Sequence, residues 1–241
     1  METILRIKKT QIQMMKDRGY NTDEDEARFR STIKSGYSDK NMDDLDIYDM
    51  NKFTNTYFPG DHKLNNLSII YNHRETGRNV YVYYFDRVVT NGTSSAKINK
   101  EQIEELFQHI GRYMGSNIDN IVLISQVPLK SDGIDALMDI PNYVIHFFLH
   151  ESLLSNPTKH KFVPKHKLLN MEESINFIKI NNIKREKLPK ICFDDPIAKY
   201  YGAIPGQIFE ITRKKLNIPS MIDTEIIYRA VTEQSIHHLS D

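Results

Sequence analysis

Apolar residues near the start of the chain recur at helical spacing. Ile4, Leu5, Ile7, Ile12, Met14 and Met15 predict a helix over 2–18, with charges between the apolar positions and Gly19 ending it. From 21 to 60 apolar residues come singly among Asn, Asp and Gly. A helix around Glu24–Ser35 is expected there, followed by an acidic loop through Asp49, read as a surface insertion rather than a binding segment. From Leu67 the period changes. Leu67–Asn72 and Asn79–Asp86 predict strands joined by a turn at Gly77. Val80 to Phe85 are all bulky, so both faces of that strand should be covered, and its aromatic run reads as core rather than as a base-stacking platform. Asn99 and Gln102 have capping-box spacing, and Ile103, Leu106, Phe107, Ile110 and Met114 share one face, predicting a helix over 99–116 that ends at Gly115. A strand at Ile118–Ser125, a helix at Asp132–Met138 and a strand at Tyr143–His150 come next. Strands alternating with helices imply a mixed α/β layer with some parallel pairing.

Residues 151–160, with Ser152, Ser155, Asn156, Pro157 and Thr158, read as a linker. The expected organisation is a first domain at 1–150, a smaller α+β domain at 161–232 and a polar tail at 233–241. In the second domain Asn170 and Glu173 form another capping-box pair, with Met171, Ile175 and Ile178 on one helix face. Asp195 before Pro196 starts a short helix that Gly202 closes. Pro205-Gly206 predicts a turn. Gln207–Arg213 predicts a strand with Ile208 and Glu210 on one side and Phe209 and Ile211 on the other. A helix of under two turns cannot stand alone, so it must be pinned to the neighbouring sheet. Glu225–Val231 predicts a last strand.

Composition narrows the class. Formal net charge is zero and 39% of residues are hydrophobic, so a packed core is within reach and no global field draws the chain to nucleic acid or membrane. Charge is uneven: residues 17–49 hold ten Asp/Glu against five Lys/Arg, and residues 159–191 hold nine Lys/Arg against three Asp/Glu. These read as solvated faces or as docking surfaces. The single cysteine, Cys192, excludes an internal disulfide and fits a reducing compartment. Between Ile191 and Phe193 it reads as a small buried thiol. The longest apolar run, near Tyr143–Leu149, is far short of the ~20 residues of a spanning helix, and no signal peptide is evident, so a soluble intracellular protein is expected.

Sites of chemistry are few. His160, His166, His237 and His238 lack cysteine partners, and no His-Glu-x-x-His string occurs, so no metal is expected. Gly111 and Gly115 lack the Lys-Ser/Thr ending of a phosphate loop. Asp43-Asp44 and Asp194-Asp195 read as solvated or capping carboxylates. Asp61-His62-Lys63 has the Asp-x-Lys spacing of a Mg²⁺ nuclease, but sits between Gly60 and Leu64 in an expected loop. The expectation is no catalytic residue and no cofactor.

Several unusual strings occur in one order: Phe162-Val163-Pro164-Lys165-His166; Leu188, Pro189 and Ile191; Asp195, Pro196, Ala198, Tyr200 and Gly202; Gly206, Gln207, Ile211 and Arg213; and Tyr228-Arg229. Residues 160–232 thereby resemble the C-terminal domain of the fifth common subunit of eukaryotic RNA polymerases, a family with an archaeal counterpart. Asp17-Arg18-Gly19-Tyr20 resembles the end of that family's first helix. The resemblance implies a nuclease-like α/β "jaw" domain and then a C-terminal assembly domain, and a non-catalytic subunit for transcription. It implies docking to the largest polymerase subunit through Pro164, Lys165, His166, Asp195, Pro196, Tyr200, Gly206, Gln207, Arg213, Tyr228 and Arg229, with His166 in a loop. It also implies a DNA-proximal loop, here Gln126, Pro128, Lys130 and Ser131, where the proline is kept but the family's Thr-Pro-Ser-Ala string is not. Partners would be other polymerase subunits and downstream duplex DNA, with no membrane. The family's Gly-Arg turn is absent from 214–225. Frequent Asn, Ile and Lys suggest an AT-rich source, a large DNA virus or a divergent eukaryote. Location would be nuclear if cellular, or virion, host cytoplasm and viral factory if viral. The alternative is a stand-alone DNA-binding regulatory module.

Overall fold

A computed structural model of the chain describes residues 1–35, 47–86, 89–90, 93–94, 97–113, 117–141, 143–214 and 224–233. The acidic stretch before Ile47, Gly115, the diverged turn at 215–223 and the tail from 234 lie outside the described residues. The chain divides into two compact units, Met1–Ser155 and a second from Asn156 onward.

The first unit opens with helix α1 (Glu2–Asp17), which stops where Gly19 takes φ +89°. Helices α2 (Asp23–Arg30) and α3 (Met50–Tyr57) come next. α2 is shorter than expected: Thr32 turns back to Phe29 O, and Ile33 bridges to Tyr48. α3 falls just past the acidic loop expected through Asp49, where no element was expected. Asp49 caps it by accepting from Asn51 N at 2.9 Å, and Phe53 and Tyr57, four apart, are its buried residues. Then come strands β1 (Ile69–Asn72) and β2 (Asn79–Tyr84), a small ribbon of β3 (Val89–Thr90) and β4 (Thr93–Ser94), helix α4 (Lys100–Tyr113), β5 (Ile118–Ser125), helix α5 (Ser131–Met138) and β6 (Val144–Leu149). The main sheet has order β1-β2-β5-β6, antiparallel in the first pair and parallel in the other two. The capping box of α4 is made as expected, with Gln102 N donating to Asn99 Oδ1 at 3.2 Å and Asn99 N to Gln102 Oε1 at 3.1 Å.

Both faces of β2 are covered. Tyr81 and Phe85 join Ile103, Leu106 and Ile110 of α4 and Ile121 and Leu123 of β5 in one core. On the opposite face Tyr71 and Tyr84 turn toward α1. There the polar side of α1 is buried too, which its charge pattern does not suggest. Lys8 is 1% exposed and Asp25 of α2 is 2% exposed. Lys8 Nζ lies 2.8 Å from Asp25 Oδ2 and donates to Gln11 Oε1 at 2.9 Å. Gln11 Nε2 donates to Tyr71 Oη at 2.9 Å, Tyr57 Oη donates to Asp25 Oδ1 at 3.2 Å, and Tyr71 Oη makes a short bond to Asp25 Oδ2. Tyr84 Oη donates to Gln11 Oε1 at 3.3 Å. Every charged group of this network has a partner, as burial demands.

Burial, then the neighbouring Asp25 charge, raises the phenol pKa of Tyr57, Tyr71 and Tyr84 above the ordinary 10.0. Above pH ~10 the unfolded chain sheds phenol protons that the folded chain keeps, so stability falls as pH rises, by about 1.4 kcal/mol per pH unit and phenol. Burial lowers the Lys8 pKa from 10.5, against the pull of Asp25. That acts in the opposite direction, but only up to about pH 10.5 and for one proton. The net expectation is a steep loss of urea resistance between about pH 10.5 and 11.5, with a shallower slope in Tyr57→Phe.

The second unit contains β7 (Lys165–Leu169), helix α6 (Met171–Ile180), β8 (Lys190–Cys192), helix α7 (Pro196–Tyr201), β9 (Ile208–Lys214) and β10 (Thr224–Thr232). Its sheet has order β7-β9-β10-β8, with β8 parallel to β10 and the other pairs antiparallel. The whole is the mixed α+β fold expected. Cys192 corrects the sequence reading: it is exposed. Strand alternation buries its neighbour Ile191 and turns Cys192 outward.

Candidate functional site

Register decides what the motif residues of the second unit do. Residues opposite one another on neighbouring strands share a face. His166 faces Ile211, Leu168 faces Phe209, Phe209 faces Arg229 and Arg213 faces Glu225. One face therefore carries His166, Leu168, Phe209, Ile211, Arg213, Glu225, Ile227, Arg229 and Val231. Its apolar part is closed by Ala198, Tyr201 and Ala203 around fully buried Phe209. Arg213 and Glu225 pair at its open end, and Arg229 is exposed. The other face carries Tyr228, stacked on Phe177 of α6 with centroids 4.2 Å apart, and Ser174 Oγ accepts from Ile208 N at 3.1 Å.

The Asp-Pro-x-Ala-x-Tyr-x-Gly string pins α7 to this sheet. Asp195 Oδ1 accepts from Ile197 N at 2.8 Å, Pro196 takes the first helical position, and Gly202 is left-handed at φ +66°. Tyr200 is 1% exposed and its hydroxyl accepts from Asn156 Nδ2 at 2.8 Å. Gly206 sits at φ +96°, a region open to glycine. Gln207 closes the turn, with Oε1 accepting from Ile204 N at 2.9 Å and Nε2 donating to Leu169 O at 3.3 Å. Tyr200 is thus core, while Asp195, Gly206 and Gln207 hold backbone. Lys165, Pro196, Arg213 and Arg229 are exposed; Pro164, His166 and Tyr228 are half-buried. Phe162, beside them in sequence, is 78% exposed. Asn156 and Ser174 are structural partners that no motif spacing suggested; the capping Asn170 four residues before Ser174 was the one local signal.

His166 lies in strand β7, not in the loop expected, because the strand begins directly after Pro164, where a proline's missing donor is tolerated. Its Nδ1 donates to Pro164 O at 2.7 Å and its ring meets Phe209 edge-on at 5.7 Å. Burial lowers its pKa; Asp195 and the Pro164 carbonyl pull upward and Arg229 pushes down. Burial lowers His150 of the first unit likewise. Below the ordinary 6.5 the unfolded chain takes up protons that the folded chain refuses, so stability falls as pH drops through that value. Urea midpoints read from backbone amides of each unit should fall between about pH 7.5 and 5.5, and His166→Gln should flatten the fall in the second unit only.

In the first unit, Gln126, Pro128, Lys130 and Ser131 lie beyond the carboxyl end of β5; Lys130 and Ser131 are exposed and Gln126 and Pro128 lie at the surface. The segment is held from behind: Ile98 N donates to Pro128 O and Lys130 N to Ile98 O, both at 2.8 Å. Gly133 permits this, since a Cβ there would stand 2.9 Å from Ile98 O. Asp61 is exposed, accepting from Asn66 Nδ2 at 2.7 Å and pairing with Lys63 at 3.5 Å. Among the described residues no group of three His, Cys, Asp or Glu is placed to hold a metal ion, and no helix is long and apolar enough to cross a membrane.

The family model "RNA polymerase Rpb5, C-terminal domain" matches residues 155–231. The subunit Rpo5 of an archaeal DNA-directed RNA polymerase, from Sulfurisphaera tokodaii, is 45% identical over 76 residues, which is 32% of this chain and 86% of that relative. The chain belongs to the family of the fifth common subunit of DNA-directed RNA polymerases. Rpo5 of Archaeoglobus fulgidus is 56% identical over 57 residues, 24% of this chain and 75% of that relative. The family likeness also extends beyond the second unit. Subunit RPABC1 of RNA polymerases I, II and III from Caenorhabditis elegans is 26% identical over 212 residues, 86% of this chain and 87% of the relative.

Proposed function

We propose that this chain is a non-catalytic subunit of a DNA-directed RNA polymerase, attached to the largest subunit through its second unit. The observation that carries this is the extent of the archaeal relatives. Each is named a polymerase subunit, and matches of 76 and 57 residues span 86% and 75% of them. A subunit of that kind is little more than the family domain found here at 155–231. The attachment belongs to that shared part. The exposed residues supply what an interface of a few anchors and a charged rim needs: Phe162 as an aromatic anchor, and Arg213 and Arg229 on one sheet face and Lys165 on the other as charges. Tyr200 and Phe209 act through the fold they fill. The first unit serves as the jaw beside downstream DNA. Gln126, Lys130 and Ser131 offer donors and one charge, enough to touch phosphates and too little to read sequence.

The test is an affinity pull-down of the tagged full chain from its native source, with mass spectrometry of the co-purified proteins. The expected result is both large polymerase subunits near one-to-one with the chain. Phe162→Ser with Arg229→Ala should release them while the urea midpoint stays unchanged, since both residues are exposed. Recovery of the chain alone overturns the reading. Recovery with DNA and no polymerase, with steeply salt-dependent DNA binding by the isolated chain, replaces it with a regulatory module.

A further inference from the structure

The first unit has a pocket that the polymerase assignment does not use. Its floor is Tyr81, Tyr83 and Phe85, on one face of the β2 segment. Their rings lie in sequence along the strand, with centroids 5.9 Å apart between Tyr81 and Tyr83 and 5.0 Å between Tyr83 and Phe85. One wall is α4, which presents Gln102, Glu105, Leu106 and His109 at helical spacing; Asn65 and Asp86 close the other side. The cavity is about 320 Å³. Tyr83 is only partly buried, so a planar group entering the pocket would meet its ring.

The charge at the mouth is negative. Asp86 and Glu105 both lie close enough to raise the Tyr83 pKa, which burial first and then Tyr81, Asp86 and Glu105 push up to about 12. Asp86 accepts from Asn65 N at 3.0 Å through one oxygen. Among the described residues neither Asp86 nor Glu105 forms an ion pair. Aromatic rings with carboxylates at the rim attract cations. They repel the phosphates that accompany any stacked base, so a nucleic acid is the wrong occupant. Between the two cationic side chains, a guanidinium is planar, weakly hydrated and stacks on rings, whereas an ammonium is compact and strongly hydrated.

We propose that this pocket is a docking site for an arginine side chain of a partner protein, stacked on Tyr83 and paired with Glu105 and Asp86. The site belongs to the first unit alone, and the proposal does not rest on the attachment proposed for the second.

The probe is an acetylated, amidated Gly-Ser-Arg-Ser-Gly peptide, titrated into the isotope-labelled full chain and monitored by backbone amide shifts, beside the same peptide with lysine or citrulline. The expected result is saturable shifts confined to the amides around Tyr83, Asp86, Glu105 and His109. The arginine peptide should bind most tightly, and Glu105→Gln should weaken it about tenfold. Glu105 is exposed, so this variant keeps its fold, and unchanged shifts elsewhere verify that. Three outcomes each overturn the proposal: shifts that do not saturate or spread over other carboxylates, equal affinity for the lysine or citrulline peptide, and binding unaffected by Glu105→Gln.

Discussion

Asp25→Ala should destabilise the first unit by about 3–5 kcal/mol, because it leaves the Lys8 ammonium buried without its counter-charge. Lys8 is 1% exposed and lies 2.8 Å from Asp25, and its remaining bonds are to Gln11 Oε1 and, at 3.4 Å, to Leu67 O. The same change strands two hydroxyls, since Tyr57 and Tyr71 both donate to Asp25. Each unsatisfied buried group adds about 1–3 kcal/mol of its own desolvation, not all of it independent of the first loss. The paired variant Lys8→Met/Asp25→Leu should recover most of the loss, since a buried ion pair often yields to apolar residues of similar size at little cost. Urea midpoints read from α1 and β1 amides test both. A drop below about 1 kcal/mol in the single variant would mean that water reaches the network. Failure of the paired variant to recover would mean that the tyrosines, not the charges, dominate.

Phe209→Ala should destabilise the second unit by about 3–5 kcal/mol, the range for removing a fully buried aromatic ring. Phe209 is 0% exposed, at the centre of a sheet face closed by Ala198 and Ala203. Its ring also meets those of His166 and Tyr201 edge-on, at 5.7 and 5.9 Å. Those small alanines cannot collapse into the space, so the cavity stays and its cost is felt in full. Amide protection should fall across β7, β9 and β10 while that of α1 and β5 is retained. In the pull-down, polymerase recovery should fall with the folded fraction. Equal loss in both units would show that the two unfold together. No loss of protection with loss of polymerase would make Phe209 part of the interface rather than of the core.

Local order was legible wherever a few residues in sequence settle it. Asn99 with Gln102, Asn170 with Glu173, and Asp195-Pro196 through Gly202 each satisfy helix-end donors or acceptors within one turn, and all are made as expected. The strand at Ile118–Ser125 was legible because it is apolar on both faces. The family was legible in the second unit because its strings fix backbone, as Gly206 and Gln207 show, and such positions tolerate few residues. The helix at Met50–Tyr57 was missed because its apolar face is only Phe53 and Tyr57, too few to reveal a period.

The sequence by itself determined most element types and the mixed α+β class, from periods, caps and turns spanning a few residues, and the family, from the resemblance of its strings; it did not show helix Met50–Tyr57 or the strand at Lys165–Leu169. Only the tertiary structure decided which polar groups are buried. Lys8 and Asp25 are 17 positions apart, and Tyr71 and Tyr84 join them from a distant sheet, so no local pattern marks Lys8 as an interior charge. It likewise decided that Cys192 faces out and His166 lies in a strand, and it separated buried Tyr200 from exposed Arg229. The physical reason is the same each time: the period places a side chain on a face, but what covers that face comes from elsewhere in the chain.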